Sequence, residues 1–530
     1  MKPIRLMSGF LTVGVWTLLS RVLGFVRDIL IAGWLGTGPV AEAFLVAFSL
    51  PNMFRRFFAE GAFNTAFIPL FSKKLQTGGN AETFANDAFA ALGSLLIVFT
   101  VLAQVFMPWL VLAMASGFAG DERFGLAVLF GRIAFPYILF ISLAALLSGV
   151  LNATGRFAAA AAAPVLLNVI LISALLIAES GILNVATPAE TVTGSPHPGI
   201  HHGTFLVWGV LVAGVAQLAL LWYAAGRAGF RIRLQRPRLT PDLKRLAIIA
   251  LPAMLAGGVV QINLLVGRQV ASFFEGAIAW LSYADRLYQL PLGVVGIAVG
   301  VVLLPDLSRR LAASDDDGAR SALSRAGEVS LALTIPSAVA LVAIPYPLIS
   351  VLFQRGAFDA TDASATALAV AVYGLGLPAF VLQKVLQPLY FAREDTRTPF
   401  RYAVVSMIVN VVVAVSMAYL LGYIGAAIGT TVAAWAMVLQ LARGTRSMGD
   451  VARFDARFHR RLWRICVASA VMGLVLVASG MLLSQALHMA YWRYLALAGL
   501  ILVGIVAYFG VGQLIGAFRL ADFRNALRRN

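Results

Sequence analysis

The chain has 530 residues, of which 60% are hydrophobic and only 12% charged, with 41 Lys and Arg against 24 Asp and Glu. This balance excludes a soluble globular domain, in which about a quarter of the residues are charged, and a mean hydropathy of +0.87 marks an all-α polytopic membrane protein. The net charge of +17 does not point to nucleic acid, because the cations lie in short segments between apolar runs and not on a basic domain. A single cysteine, Cys466, rules out an intramolecular disulfide and a Cys-based metal site.

Met1 to Leu19 has a basic start and an apolar run, but no small-residue cleavage site follows, so it reads as the start of the first helix and not as a leader. Fourteen apolar runs of about 20 residues or more, each long enough to cross a hydrocarbon core of about 30 Å, follow one another. Their approximate spans are 8–34, 41–72, 84–114, 124–151, 158–178, 204–225, 246–273, 277–308, 326–353, 364–391, 400–420, 423–442, 465–486 and 494–517. Alternate connections differ sharply in charge. One set holds Lys2, Arg5, Lys73, Lys74, Arg156 and the Arg-rich stretches 227–245, 309–325, 393–401, 443–464 and 519–529; the other holds only Arg123, Arg355 and Arg493. The split supports an even number of spans with both termini in the cytoplasm, and it places the segment from Glu179 to Gly203 outside.

The first two spans carry charges that lipid would not tolerate: Arg21, Arg27, Asp28, Arg55, Arg56 and Glu60. Each Arg near the bilayer centre opposes insertion by about 2.5–3.5 kcal/mol, so four facing lipid would cost about 10 kcal/mol or more. They must face something polar. A guanidinium offers five donors in a planar fork that matches phosphate and carboxylate oxygens, so a group of them predicts a wet cavity for an anion. The structural alternative is that the Arg pair with Asp28 and Glu60 and only brace helices. Arg56 and Glu60 have the spacing for that, but the Arg outnumber the acids. Gly24 offers a bend between Arg21 and Arg27, and Pro51 frees a carbonyl just before Arg55 and Arg56, so broken helices are expected there. Glu42 sits at the outer start of the second span, Arg268 in the seventh, and Asp285 and Arg286 in the eighth. Arg132, Glu328 and Lys384 are scattered elsewhere.

The chain also repeats itself. IPLFSKKL ends the second span and LPDLSRRL the eighth; Leu50-Pro51 recurs as Leu290-Pro291; Pro136 and Asn168 recur as Pro378 and Asn410, 242 positions on. An even number of spans separates the copies, which predicts two pseudo-symmetric six-helix lobes, residues 1–227 and 243–445, with a C-terminal helix pair over 460–530. That pair is almost uncharged and flanks either lipid or a groove for a long hydrocarbon chain.

Catalytic patterns are weak. Asp315, Asp316 and Asp317 sit beside Ser314 and Gly318 in a solvated turn; His197, His201 and His202 lack a fourth metal ligand. No Walker loop or HExxH is present, so no metal or cofactor is expected.

Three segments carry a resemblance: SRVLGFVRD (20–28), LPNMFRRFFAEGAFNTAFIPLFS (50–72) and YADRLYQLPLGVVGIAVGVVLLP (283–305) resemble the signature segments of the MurJ (MviN) lipid II flippases of the multidrug/oligosaccharidyl-lipid/polysaccharide (MOP) exporter superfamily. The resemblance covers essentially the whole chain. It implies a fourteen-helix inner-membrane protein that carries lipid II, the undecaprenyl-diphosphate-linked disaccharide pentapeptide, from the cytoplasmic to the periplasmic leaflet by alternating access. By motif match the cationic cavity falls on Arg21, Arg27, Arg55, Arg56 and Arg286, with Asp28, Glu60 and Asp285 as associated acids, Glu42 as a further latch where the family has Asp, and Gly24, Pro51 and Pro291 as helix breaks. Sodium binding known in some members does not carry over by motif, since the corresponding spans offer Asn263, Asn410 and Thr430 and no carboxylate. Membrane lipid and the cell-wall synthesis machinery are the other partners the resemblance implies. The alternatives are a flippase for another polyprenyl-diphosphate-linked oligosaccharide and a membrane enzyme acting on polyprenyl phosphates. A drug exporter of the same superfamily would need an acid-rich cavity.

Overall fold

The computed structural model describes residues 6–56, 62–77, 79–183, 199–233 and 235–517, with the backbone but not the side chains described at 6–11, 62, 63, 65, 252–260, 262–263 and 294–302. Glu60 and His197 therefore lie outside the described residues. Within them the chain is helical: α1 (Leu6–Leu35), α2 (Pro39–Arg55), α3 (Ala62–Gln76), α4 (Ala81–Val105), α5 (Met107–Met114), α6 (Glu122–Ala134), α7 (Tyr137–Ala153), α8 (Ala158–Ser180) and α9 (Ile200–Arg227). There follow α10 (Pro241–Ser272), α11 (Ala277–Ala312), α12 (Asp316–Ala343), α13 (Pro345–Phe353), α14 (Ala360–Phe391), α15 (Arg397–Leu421), α16 (Ile424–Gly444), α17 (Ala456–Leu482), α18 (Ser484–His488) and α19 (Trp492–Leu514).

Each of the fourteen expected spans is one of these helices or a consecutive pair, namely α2 with α3, α4 with α5, α6 with α7, α12 with α13, and α17 with α18. Among the described residues nine helices are singly long and apolar enough to cross a membrane, and α6 with α7 adds a tenth, bent by 40°. The boundaries follow local chemistry. Asp121, Asp315 and Asp455 cap α6, α12 and α17, each side chain accepting a backbone N–H that the first helical turn leaves without a partner. Asp359 and Asp362 form a reciprocal capping box on α14. Pro39, Pro241 and Pro345 stand in first turns, where their missing N–H costs nothing. Gly181 ends α8 in the left-handed conformation, at φ 64°.

Two compact units result: Met1–Ala279 with Arg355–Phe358, and Trp280–Gln354 with Asp359–Asn530. In the first, α8 packs against α1 and α9, α2 against α6, and α10 along α3. Its aromatic core includes the stacked rings of Phe67, Phe71 and Phe84. In the second, α14 packs against α12 and α16 around Leu307, Leu323, Val385, Leu389 and Leu441. The C-terminal pair belongs to this unit. α17 packs on α12 and on α19, with Ala468, Met472, Leu476, Leu500 and Tyr508 buried between them, and the Tyr508 hydroxyl donates to the Ala332 carbonyl at 2.6 Å.

A candidate anion-handling site in the opening helices

Buried charge in the first unit falls into two groups. The first lies on α1, which is helical without interruption through Gly24. Arg27 and Asp28 are both buried, 5% and 6% exposed. Arg27 Nε and Nη2 donate to Asp28 Oδ1 at 2.9 and 2.7 Å, while Nη1 donates to Asn168 Oδ1 of α8 at 2.9 Å. Asn168 is itself fixed, its Nδ2 donating to the Ser20 carbonyl at 2.9 Å. Gly24 faces this amide, and a Cβ there would meet Asn168 Nδ2 at 3.5 Å, ordinary contact. Arg27 is thus held in one orientation by an acid on its own helix and an amide on the next. Arg21, nearly two turns earlier, is exposed.

The second group sits near the start of α2. Glu42 is fully buried, and its Oε2 accepts from Arg123 Nη1 at 2.8 Å. Oε1 accepts the backbone N–H of Ile278 at 2.9 Å, in the first turn of α11. A carboxylate there meets both a first-turn backbone donor and the positive end of the helix dipole. Arg123 also donates through Nε and Nη2 to Asp121 Oδ2 at 2.8 and 2.6 Å, and its guanidinium carbon lies 4.4 Å from the centroid of the Phe118 ring. Buried ions persist only when paired and hydrogen-bonded, and here every charge in the group has at least one ionic partner.

Pro51 lies inside α2, which ends at Arg55, and Arg56 adopts a wider π turn. Arg55 is half-buried and Arg56 exposed. Beside them Phe54 packs edge-on against Phe99 and Phe135 at 5.0 and 5.9 Å. Arg268 is half-buried on α10.

In the second unit Asp285 and Arg286 lie half-buried on α11, and Asp285 accepts from the Gln289 side chain one turn on. Tyr288 beside them is buried against Tyr373 and Phe380, with centroids at 5.1 and 5.4 Å. α11 runs through Pro291 and Pro305 as one helix. Arg325, Glu328, Asp455 and Arg461 make a separate brace between α12 and α17, with Arg325–Glu328 and Arg325–Asp455 both at 2.6 Å and Arg461–Glu328 at 2.8 Å. The acidic turn at 315–317 serves α12: Asp315 accepts from Gly318 N at 2.9 Å and pairs with Arg310 at 3.0 Å. His202 stacks on Trp34 and bonds Glu179 at 3.0 Å, joining α9, α1 and α8.

Two residues of the site escaped the sequence reading. Arg123 counts there only as a sparse outer-loop cation, and Asn168 only as a marker of the repeat. The signal for Asn168 was an amide inside an apolar run; for Arg123, the Asp two residues before it.

Long apolar helices with arginines buried on hydrogen-bonded partners, and sequence elements repeated at fixed offset, define a multi-span membrane protein built like a transporter. The family model described as lipid II flippase MurJ matches residues 31–503. A probable lipid II flippase MurJ of Rhizobium meliloti (strain 1021) is 44% identical over 533 residues, 99% of this chain and 97% of the relative. One of Rhizobium tropici is 43% identical over 535 residues, 99% of this chain and 97% of the relative. A solved lipid II flippase MurJ in an inward closed conformation superposes with a TM-score of 0.77 at 25% identity, covering 95% of this chain and 98% of that one. An inward-facing multidrug resistance MATE family transporter of the MOP superfamily shares the fold at TM-score 0.66 and 14% identity, over 82% of this chain and 95% of that one. The chain belongs to the lipid II flippase MurJ family.

Proposed function

We propose that this protein moves lipid II from the cytoplasmic to the periplasmic leaflet of the bacterial inner membrane by alternating access, as a transporter without catalysis and without a cofactor. Both termini and the Lys74 end of α3 lie on the cytoplasmic side; Glu42 and Arg123 lie near the periplasmic side. The repeated segments 1–227 and 243–445 form the two lobes that alternate, and the pair 460–530 borders the path of the lipid tail.

The observation that carries the reading is Arg27, a permanently charged group buried on α1 and held by Asp28 and Asn168. Holding a guanidinium at membrane depth has a large desolvation cost, and a site for a diphosphate repays it by presenting preoriented donors. Arg27, Arg21, Arg55, Arg56 and Arg286 then engage the diphosphate and the peptide carboxylates. Asp28, Glu60 and Asp285 keep these cations apart, and Pro51 loosens the end of α2 before Arg55 and Arg56. Glu42 latches the start of α11.

The deciding experiment is leaflet-resolved measurement of lipid II in proteoliposomes with and without the protein. Translocation that depends on it is expected, and an unchanged distribution overturns the proposal. Arg55→Ala or Arg286→Ala is expected to abolish rescue of cells depleted of their lipid II flippase while membrane abundance stays normal; full rescue by both would remove these residues from the site.

A further inference from the structure

α10 is fastened to the first unit at both ends, by bonds of different kinds. At its C-terminal end Gln269 accepts from Ser116 N at 2.9 Å and Ser116 Oγ at 2.7 Å, and donates to the carbonyls of Leu112 and Ala113 at 2.9 and 2.6 Å. Those carbonyls close the last turn of α5, where a helix has no backbone N–H of its own to donate to them. Three residues on, Ser272 Oγ accepts from Gly117 N at 2.9 Å. The backbones approach so closely that a Cβ on Gly117 would lie 2.4 Å from the Ser272 carbonyl carbon. One amide and one hydroxyl thus weld this end of α10 to the corner after α5.

Near the N-terminal end α10 is joined to α3 by an ion pair, Lys74 Nζ to Asp242 Oδ2 at 2.8 Å, with side chains 27% and 50% exposed. Solvent and salt screen such a pair, so it makes and breaks easily. Lys74 also lies 5.5 Å from the centroid of the Phe84 ring, a second perch for its ammonium. The internal repeat shows that this bond is no generic helix-end contact. The cation at the matching place, Arg310, pairs with Asp306 and Asp315, both within its own helix end and turn. Among the described residues, the first copy reaches across to another span and the second does not.

We infer that Lys74 and Asp242 form a releasable cytoplasmic latch and Gln269 the fixed hinge of α10, so that the cytoplasmic end of this helix leaves α3 during transport while its other end stays on the α5 corner. Sidedness and the transport cycle rest on the proposed function; the two-ended attachment does not. Gln269 is a positioning residue here and touches no substrate.

The test uses the full-length protein carrying Cys466→Ser, reconstituted in liposomes. Spin labels on Thr77→Cys with Lys244→Cys, which leave Lys74 and Asp242 in place, are expected to report two distance populations whose ratio shifts when lipid II is added. Labels on Ala119→Cys with Phe273→Cys, across the hinge, are expected to report one. A single unchanging distance for the first pair overturns the latch, whether or not the protein flips lipid II, and two distances for the second overturn the hinge. Bridging Lys74→Cys to Asp242→Cys with a short reducible bis-thiosulfonate is expected to abolish translocation, with recovery on reduction. Translocation at the unbridged rate refutes the inference, while no translocation by the protein carrying Cys466→Ser alone counts against the flippase reading.

Discussion

The Glu42–Arg123 pair offers the sharpest energetic test. The Glu42 side chain is 0% exposed and that of Arg123 8%, so water screens neither. One charge-assisted hydrogen bond of 2.8 Å joins them, and such bonds contribute about 1.5–3 kcal/mol. Glu42→Ala leaves both Arg123 Nη1 and the Ile278 N–H without their acceptor. Removing one partner of a buried pair costs about 3–5 kcal/mol, and the bonds that Asp121 still gives Arg123 hold the expected loss near the lower end, about 3 kcal/mol. Glu42→Gln keeps an oxygen acceptor and should cost less than Glu42→Ala. A double-mutant cycle of Glu42→Gln with Arg123→Gln, read by SDS-induced unfolding of the purified protein in mild detergent, should give a coupling of about 2 kcal/mol. Additive behaviour, with coupling within about 0.5 kcal/mol of zero, would show that the two side chains do not sense one another and that this brace is not what seats the start of α11.

Other substitutions separate packing from chemistry. Asn168→Leu removes the acceptor of Arg27 Nη1 and should destabilise the α1–α8 contact by about 1.5–3 kcal/mol, seen as a lower unfolding midpoint, whereas Gly24→Ala should be neutral because its Cβ meets nothing closer than 3.5 Å. Gly117→Ala forces backbone apart at 2.4 Å and should abolish stable accumulation in the membrane, measured by immunoblot; normal levels would mean that the α10 hinge is looser than described. Outside the membrane spans, the hydroxyl and backbone N–H of Thr398 hold the Asp395 carboxyl below its ordinary range. The stabilisation is therefore present above that range and lost as pH falls through the depressed value, so Asp395→Asn should lower stability at pH 7 and narrow its gap to the unsubstituted protein in acid.

Much of this architecture was legible because membrane burial leaves plain marks. Apolar runs of fixed length gave fourteen spans, and fourteen helices or helix pairs occupy them. Side-chain partnerships were not legible, for a physical reason. Arg27 sits next to Asp28 in sequence, but the amide that completes its coordination is 141 residues away, and Glu42 finds Arg123 81 residues on. Such bonds depend on which helix faces pack, and periodicity in a nearly all-apolar helix carries little information about facing. Arg21 and Asp28 share a helix face by spacing, but spacing gives no sign that Arg27 turns its guanidinium back onto Asp28. The same limit hid Gln269, whose four bonds to the α5 corner come from residues about 155 positions earlier and leave no local pattern.

The paired Leu-Pro steps show where sequence alone stops deciding. Pro51 and Pro291 each remove one backbone donor from a long helix, but regular α2 stops four residues later, at Arg55, while α11 continues for about six more turns. The difference lies in the neighbours. In α2 the Ser49 hydroxyl donates to the Leu45 carbonyl at 2.6 Å and the Asn52 amide to the Phe48 carbonyl at 2.8 Å. Side-chain bonds of this kind compete with the main chain and bend helices, so they add to the proline on adjoining turns, and the wider turn at Arg56 follows. In α11 the polar side chain flanking the proline, Gln289, donates to the Asp285 carboxylate one turn earlier. Two copies of one motif thereby yield one helix that widens at Arg56 and one that stays regular. The wider turn thus falls at Arg56, beside Arg55, where the second span carries two adjacent guanidinium groups.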